Sequence, residues 1–448
     1  MSRRRAGGRV ARTGRFVARA AVAHAYDDAT GRATRRDEEG RDGMKAAARI
    51  GMALAGVAVV GGAVFVAPRL LDGAAGPSAQ QRLGAEPGTS PGASDGKGSP
   101  FTLVATGDII PYPSIVQRAA TDAGRAGEYD FRKILAGVKP LVSAADLAIC
   151  HHEIPYGKPG GPYTGYPTFK APHQLADALK DAGYDSCSTA SNHTLDDGYD
   201  GLVRTLDHLD RAGIRHVGSA RNADEAKAPA LLTAGGAKVA QLSYTYGTNG
   251  IPLPQGKPWA VNLIDADRII ADARAARAAG AHVVVLSIHW GSEWQTAPDQ
   301  QQRDLSQALT ASRGMDGLPD IDLVIGTHNH VPQPYEKING TWVVFGMGDQ
   351  VASFVPADKL RGNQSSIPRF TFAPSASHAG RWEVVKAEYL TQYSDMGPPF
   401  RVVCASCAEG DASLPAAKRT EYGRIDKEVS AAVTSRGAAA SGLERATR

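Results

Sequence analysis

From residue 101 onward the chain repeats one pattern: a short apolar run, rich in Val, Ile, Leu and Ala, that ends in glycine or in a polar side chain. Runs at 101–106, 145–149, 184–188, 214–217, 283–288 and 321–325 are too short for helices and read as strands. Between them lie stretches with helical spacing, at 114–123, 131–138, 172–182, 197–209, 265–279 and 300–312. Asp197 and Asp265 sit where caps belong, and Gly213 and Gly280 where helices stop. Residues 228–232 and 238–244 predict a hairpin around Gly235-Gly236, and 335–338 with 342–345 a second one around Asn339-Gly340. Alternating strand and helix over 101–325 predicts an α/β fold with a largely parallel sheet, joined late by antiparallel strands. After Ser353 the pattern weakens. Strands are expected at 369–372, 382–391 and 400–404, then a helical and finally disordered tail, as either a small appended β unit or the completion of the main sheet.

Upstream of residue 101 the pattern differs. Residues 50–68 are nineteen in a row without a charge, enough for one bilayer crossing of ~30 Å. Lys45 and Arg49 flank the N-terminal side, which puts residues 1–49 in the cytoplasm and everything after Pro68 outside the cell. A cleaved signal peptide, with Met44 as the true start, is the alternative; no small-x-small cleavage site follows directly, so an uncleaved anchor is expected. Residues 69–100 are dominated by Gly, Pro, Ala, Ser and Gln and read as a flexible linker.

Composition changes one point. The net charge of +4 belongs to the terminus: residues 1–49 hold 13 Lys/Arg against 6 Asp/Glu, and the rest of the chain 37 against 40. The globular part is near neutral, so no nucleic-acid partner is expected. Of the four cysteines, Cys150 and Cys187 end consecutive strands and can pair, and Cys404 and Cys407 form a tight local pair.

The chemistry sits at the strand ends. Asp108, Glu153, Asn192, His193, His289, His328 and His330 each follow an apolar run, and in a parallel sheet such ends converge on one crevice. Carboxylate, amide oxygen and imidazole together suit one or two Mn, Fe or Zn ions better than Ca or Mg. A lone His at a strand end is usually a structural hydrogen-bonding residue; His-x-His after a buried run is harder to dismiss.

The ordered set Gly107-Asp108, His152-Glu153, Ser191-Asn192-His193, His289-Trp290-Gly291 with Glu293, and Gly326-Thr-His328-Asn-His330 resembles the CapA-type bacterial capsule and poly-γ-glutamate synthesis proteins, within the calcineurin-like metallophosphoesterase superfamily. Asn192-His193-Thr-Leu-Asp-Asp-Gly198, Ala212-Gly-Ile214 leading to Val217-Gly218, and Phe345-Gly-Met-Gly-Asp349, in the place of the family's Leu-Gly-Asn, extend the likeness. It covers residues 101–355, leaving 356–448 as a C-terminal extension with a small β unit and a disordered tail. The resemblance implies a four-layer α/β/β/α metallophosphoesterase-like sandwich, here preceded by one transmembrane helix. It implies metal-ligand roles for Asp108, Glu153, Asn192, His289, His328 and His330, and a phosphate-contacting role for His193, as electrostatic stabiliser or acid. Two departures stand out. Ile110 occupies the place of a superfamily histidine, and Cys150-His151-His152-Glu153 stands where the family reads Ala-Asn-Leu-Glu; His151 or His152 can supply a replacement nitrogen or simply lie at the surface. Glu293 is expected behind the ligands or on a substrate loop, and Tyr112, Tyr163, Tyr166 and Trp290 either line the cleft or cover loops.

The resulting expectation is a single-pass cell-membrane protein with an extracellular metal-dependent hydrolase domain, acting on a cell-envelope polymer or its phosphorylated precursor beside polymer synthetase subunits. The alternatives are a non-catalytic subunit of a polymer synthesis or export assembly and a generic extracellular phosphodiesterase.

Overall fold

The computed structural model describes residues 98–447. The segments expected to be a basic tail (1–49), a membrane anchor (50–68) and a linker (69–97) lie outside the described residues, among which no helix is long and apolar enough to cross a membrane. In chain order the strands are β1 (Phe101–Ile109), β2 (Leu147–His152), β3 (Ser186–Ser188), β4 (Arg215–Val217), β5 (Ala230–Ala234), β6 (Ala237–Thr245), β7 (Val283–His289), β8 (Leu323–Thr327), β9 (Tyr335–Ile338), β10 (Thr341–Val344), β11 (Asp349–Val351), β12 (Gln364–Pro374), β13 (Trp382–Asp395), β14 (Arg401–Cys404) and β15 (Leu443–Arg445).

They form two sheets rather than one. The first runs β14-β13-β12-β1-β2-β3-β4, with β11 also on β1 and β15 on β13; the second runs β5-β6-β7-β8-β10-β9. Strand alternation makes each sheet apolar on both faces. Leu103, Ala105, Leu147 and Ile149 of the first sheet meet Val239, Val283, Val285, Leu323 and Ile325 of the second in one core. Val104 and Ala148 point the other way, onto Ile115, Leu175, Leu179, Leu202 and Leu206 of the helices Pro113–Ala123, Gln174–Ala182 and Gly198–Ala212. On the far side Val284, Leu286 and Val324 pack on Ile269, Ala273 and Leu309 of Ala266–Ala278 and Gln300–Ala311. Helix, sheet, sheet, helix is the expected layer order.

Of the two expectations for the segment after residue 355, a small appended β unit or completion of the main sheet, residues 356–447 show the second, and the expected disordered tail is a helix followed by β15. β12 pairs antiparallel with β1, β13 with β12 and β14 with β13, while β15 runs parallel to β13, so this segment completes the first sheet. The helix Ala416–Thr434 sends Tyr422, Ile425, Val429 and Val433 into the inter-sheet core. The physical reason is the edge of β1, which is buried on both faces and needs a partner for its backbone. Asp197 also differs: it precedes its helix without capping it, and its carboxylate pairs with Arg204 instead.

Cys150 is bonded to Cys187 across neighbouring strands in register, and Cys404 to Cys407, leaving no free cysteine among the described residues.

Gly107 shows why the first motif begins with glycine. A Cβ there would lie 1.7 Å from the carbonyl oxygen of Gly348, because β1 and the segment leading into β11 approach closely enough for the Asp108 N–H to donate to that oxygen (3.3 Å). Gly107→Ala is expected to push these backbones apart and destabilise the protein by ~3 kcal/mol, measured by urea unfolding; wild-type stability would show that the two segments can separate freely.

Candidate metal centre

The centre forms where the C-terminal ends of β1, β2, β7 and β8 meet the start of β11. Pairing of β1 with β2 shifts register between Ala105 and Asp108, which re-aims the end of the strand. Asp108 thereby lies opposite His151 on one side and Asp349 on the other. The loop after β8 places His328 (φ 93°) and His330 (φ 58°) in left-handed backbone conformations that non-glycine residues avoid. Such strain persists where surrounding contacts over-determine it. Here the His328 N–H donates to Asp108 Oδ2 (3.0 Å), and the Asn329 carbonyl accepts from the Trp294 N–H (2.9 Å).

All seven residues singled out from the sequence come together, none more than 6% exposed. Asp108, Glu153 and His330 each present a ligand atom within 4.8 Å of the others, and so do Asp108, His151 and His289. His289 Nε2 lies 2.7 Å from Asn192 Oδ1 and 3.7 Å from Glu153 Oε1, while its Nδ1 meets Thr327 Oγ1 at 3.0 Å. His328 lies with its ring centroid 4.7 Å from that of His289 and 4.5 Å from that of Tyr246. His193 Nδ1 sits 2.6 Å from Asp196 Oδ2, which also accepts from the Phe169 N–H (2.7 Å).

Three residues join that the motifs did not assign. Asp349, fully buried, lies 3.0 Å from His330 Nδ1 through Oδ1. Its signal was in the sequence: Gly348-Asp349 repeats the glycine–acid ending of Gly107-Asp108. Asp196 holds His193, and its only mark was a place three residues on. Ser188, at the end of a three-residue strand, lies 2.7 Å from His151 Nδ1.

Others stay out. Ile110 is buried in the helix-side apolar core. His152 turns away from the centre and packs against Tyr156 with the rings tilted (centroids 4.6 Å apart). Trp290 is fully buried with its indole N–H on the Phe345 carbonyl (2.9 Å), so it is core and not cleft. Tyr112 packs edge-on against Phe169 and Phe354, and Tyr163 against Tyr129. Glu293 is exposed and accepts from the Trp294 indole (3.2 Å).

Burial dominates the electrostatics. It raises the carboxyl groups of Asp108 and Glu153 well above their usual range; next in order, Asp349 adds to the rise at Asp108, and Asp108 to that at Glu153. Asp349 is raised as well, again by burial first. Burial and then the neighbouring imidazoles hold His289 and His328 well below 6.5, and burial takes His151 and His152 to about 3. At His330 burial opposes charge, yet the charge and hydrogen bond of Asp349, with Glu153 and Glu293, outweigh it and raise the group.

The donor set fits a divalent cation. Asp108 Oδ1, both Glu153 oxygens, His151 Nε2 and His328 Nδ1 are all buried without a hydrogen-bond partner. Buried polar atoms are nearly always paired. Five unpaired atoms in one place, from two acids and two imidazoles that burial keeps neutral, are what a cation would satisfy, and mixed oxygen and nitrogen ligation suits Mn, Fe or Zn.

Comparison with known proteins places the chain among proteins of one description. The family model described as "Bacterial capsule synthesis protein PGA_cap" matches residues 102–353. The "PGA biosynthesis protein CapA" of Bacillus subtilis is 28% identical over 176 residues, covering 39% of this chain and 44% of that protein. A "probable polyglutamine synthesis accessory protein" of Mycobacterium tuberculosis is 33% identical over 180 residues, covering 38% and 45%. The chain thus spans less than half the length of these curated relatives. Among solved structures, a calcineurin-like phosphoesterase of Bacillus subtilis aligns at 16% identity and a TM-score of 0.40, covering 74% of this chain and 98% of that one.

Proposed function

The chain belongs to the family described as bacterial capsule synthesis protein PGA_cap, and from that premise we propose that it is a membrane-anchored metallophosphatase-type protein serving the synthesis or export of a capsule or poly-γ-glutamate type polymer. The observation that carries the reading is the set of buried, unpaired acceptors converging on Asp108. Asp108, Glu153, Asn192, His289, His328 and His330 are the residues that would hold one or two Mn, Fe or Zn ions. A divalent ion there supplies Lewis-acid polarisation of a phosphoryl oxygen and a water acidic enough to act as nucleophile near neutral pH.

The chain's own residues do the rest. Asp196 holds His193 through Nδ1, which leaves Nε2 to contact a phosphoryl group, as electrostatic stabiliser or as acid. Thr327 holds the other nitrogen of His289 and Asp349 that of His330, fixing ring orientation as outer partners of metal-binding histidines do. The substrate is a cell-envelope polymer or its phosphorylated precursor, handled beside polymer synthetase subunits. Residues 50–68 anchor the chain in the cell membrane with the folded domain outside; the two disulfides support an oxidising compartment. One observation favours a second reading, a non-catalytic subunit: no ligand candidate is more than 6% exposed, so access for a polymer is narrow.

The test uses the full chain in detergent. Elemental analysis is expected to find bound metal, and chelation to lower Tm by several degrees, since an ion at ~1,000 times its Kd adds about 4 kcal/mol. Phosphomonoesters, phosphodiesters and γ-linked polyglutamate are then offered in turn. Bound metal with no turnover on any of them would favour the non-catalytic reading; no metal would end the metallophosphatase one.

A further inference from the structure

We propose that the His151 imidazole is itself a ligand of this centre, holding a cation jointly with Asp108. The inference rests on the metal-binding reading above and deepens it. Alternation along β2 separates the two adjacent histidines: His152 faces the helix-side core beside Tyr156, while His151 faces Asp108 and His289.

The hydrogen bonds around His151 decide its lone pair. Ser188 lies opposite it across β2 and β3, and the Ser188 hydroxyl donates its one hydrogen to the Cys150 carbonyl (3.3 Å). The same oxygen is 2.7 Å from His151 Nδ1. Both contacts are made together only when Nδ1 carries the proton and donates to Ser188. Nε2 is then a bare acceptor.

That acceptor faces another. His151 Nε2 is 3.5 Å from Asp108 Oδ1, and both atoms are buried with no hydrogen-bond partner. Two lone pairs opposed in a dry interior repel, and each is left at the full cost of an unpaired polar atom. A proton shared directly between them is excluded by distance, since O–H to N contacts of that kind lie near 2.7–3.2 Å. A separation of 3.5 Å is instead close to that of two donors each ~2.1 Å from one ion in tetrahedral arrangement.

His289 stacks on His151 with centroids 4.7 Å apart. Asp108 is thus shared by two donor groups, one with Glu153 and His330 and one with His151 and His289. His151 thus reaches the centre from β2, the strand paired in parallel with the one that carries Asp108.

The experiment strips the full chain in detergent and titrates it with Mn2+ alone, reading free ion by EPR and bound ion by elemental analysis. His151→Ala is expected to lose the ion on this side or weaken it more than ~100-fold, beyond the range for outer-shell partners. Ser188→Ala, which removes the group orienting the ring, is expected to weaken it about 10-fold. His152→Ala is expected to match wild type. If His151→Ala fails to fold by its melting curve, His151→Gln is read in its place. Wild-type stoichiometry and affinity in the folded His151 variant would overturn the proposal while leaving the metal-binding reading intact. A wild-type chain that takes up no Mn2+ would overturn both.

Discussion

Asp108→Asn is expected to empty the centre of metal while making the metal-free protein more stable. Asp108 is common to both donor groups, so its loss weakens every ion bound there, by at least ~100-fold. The amide keeps an oxygen for the His328 N–H, and the loop carrying His328 and His330 stays in place. In the metal-free protein the carboxylate is a liability. It is fully buried, it faces Asp349, and its carboxyl is held well above 3.8. A carboxyl raised on folding stabilises the protein below its unfolded value, and that contribution is lost as pH rises through the folded value. At neutral pH the loss is complete or advanced, and the amide removes it. The gain, of order 1–3 kcal/mol, is expected at pH 7 and should vanish near pH 4. Denaturant melts with and without metal at both pH values measure it. A variant that binds metal as tightly as wild type would remove Asp108 from the centre.

The second large effect concerns His193. With whichever ester the wild-type protein hydrolyses, His193→Ala is expected to lower kcat by ~10²–10⁴ with bound metal unchanged. His193 is placed by Asp196 rather than by any ligand candidate. Asp196→Asn keeps the shape of that partner and loses its charge, so its kcat should fall between wild type and His193→Ala. Steady-state kinetics beside elemental analysis separates this from loss of the ion. Unchanged kcat in His193→Ala would mean that the histidine lines the site without contacting the reacting group.

The site was legible to different depths at different residues. Asp108, Glu153, His289 and the His328/His330 pair could be named because each follows a β-branched or apolar run, and parallel strands bring such ends to one edge. Asp349 carries the same glycine–acid signal but follows a hairpin rather than a strand–helix unit, and it entered only as the end of the Phe345–Asp349 family motif, with no role attached. His151 and His152 were indistinguishable in sequence. Which one enters the centre depends on the face that β2 turns toward the second sheet, and a one-residue shift of register would exchange them. Ser188 acts on a partner in another strand, which nothing local announces, and Asp196 stands only three residues from His193 in a loop where spacing alone does not reveal the pairing.

The same division holds for the fold. Periodicity and turn chemistry, local properties of a few residues at a time, determined most strands, most helices, the Asn339-Gly340 hairpin and the α/β class. Which strands pair within the two facing sheets, whether β12–β15 return to the edge of β1 or stand apart, and the choice of His151 over His152 were decided only by tertiary structure. They depend on which faces and edges must be covered together, and burial of that kind couples residues hundreds of positions apart, where no local pattern reaches.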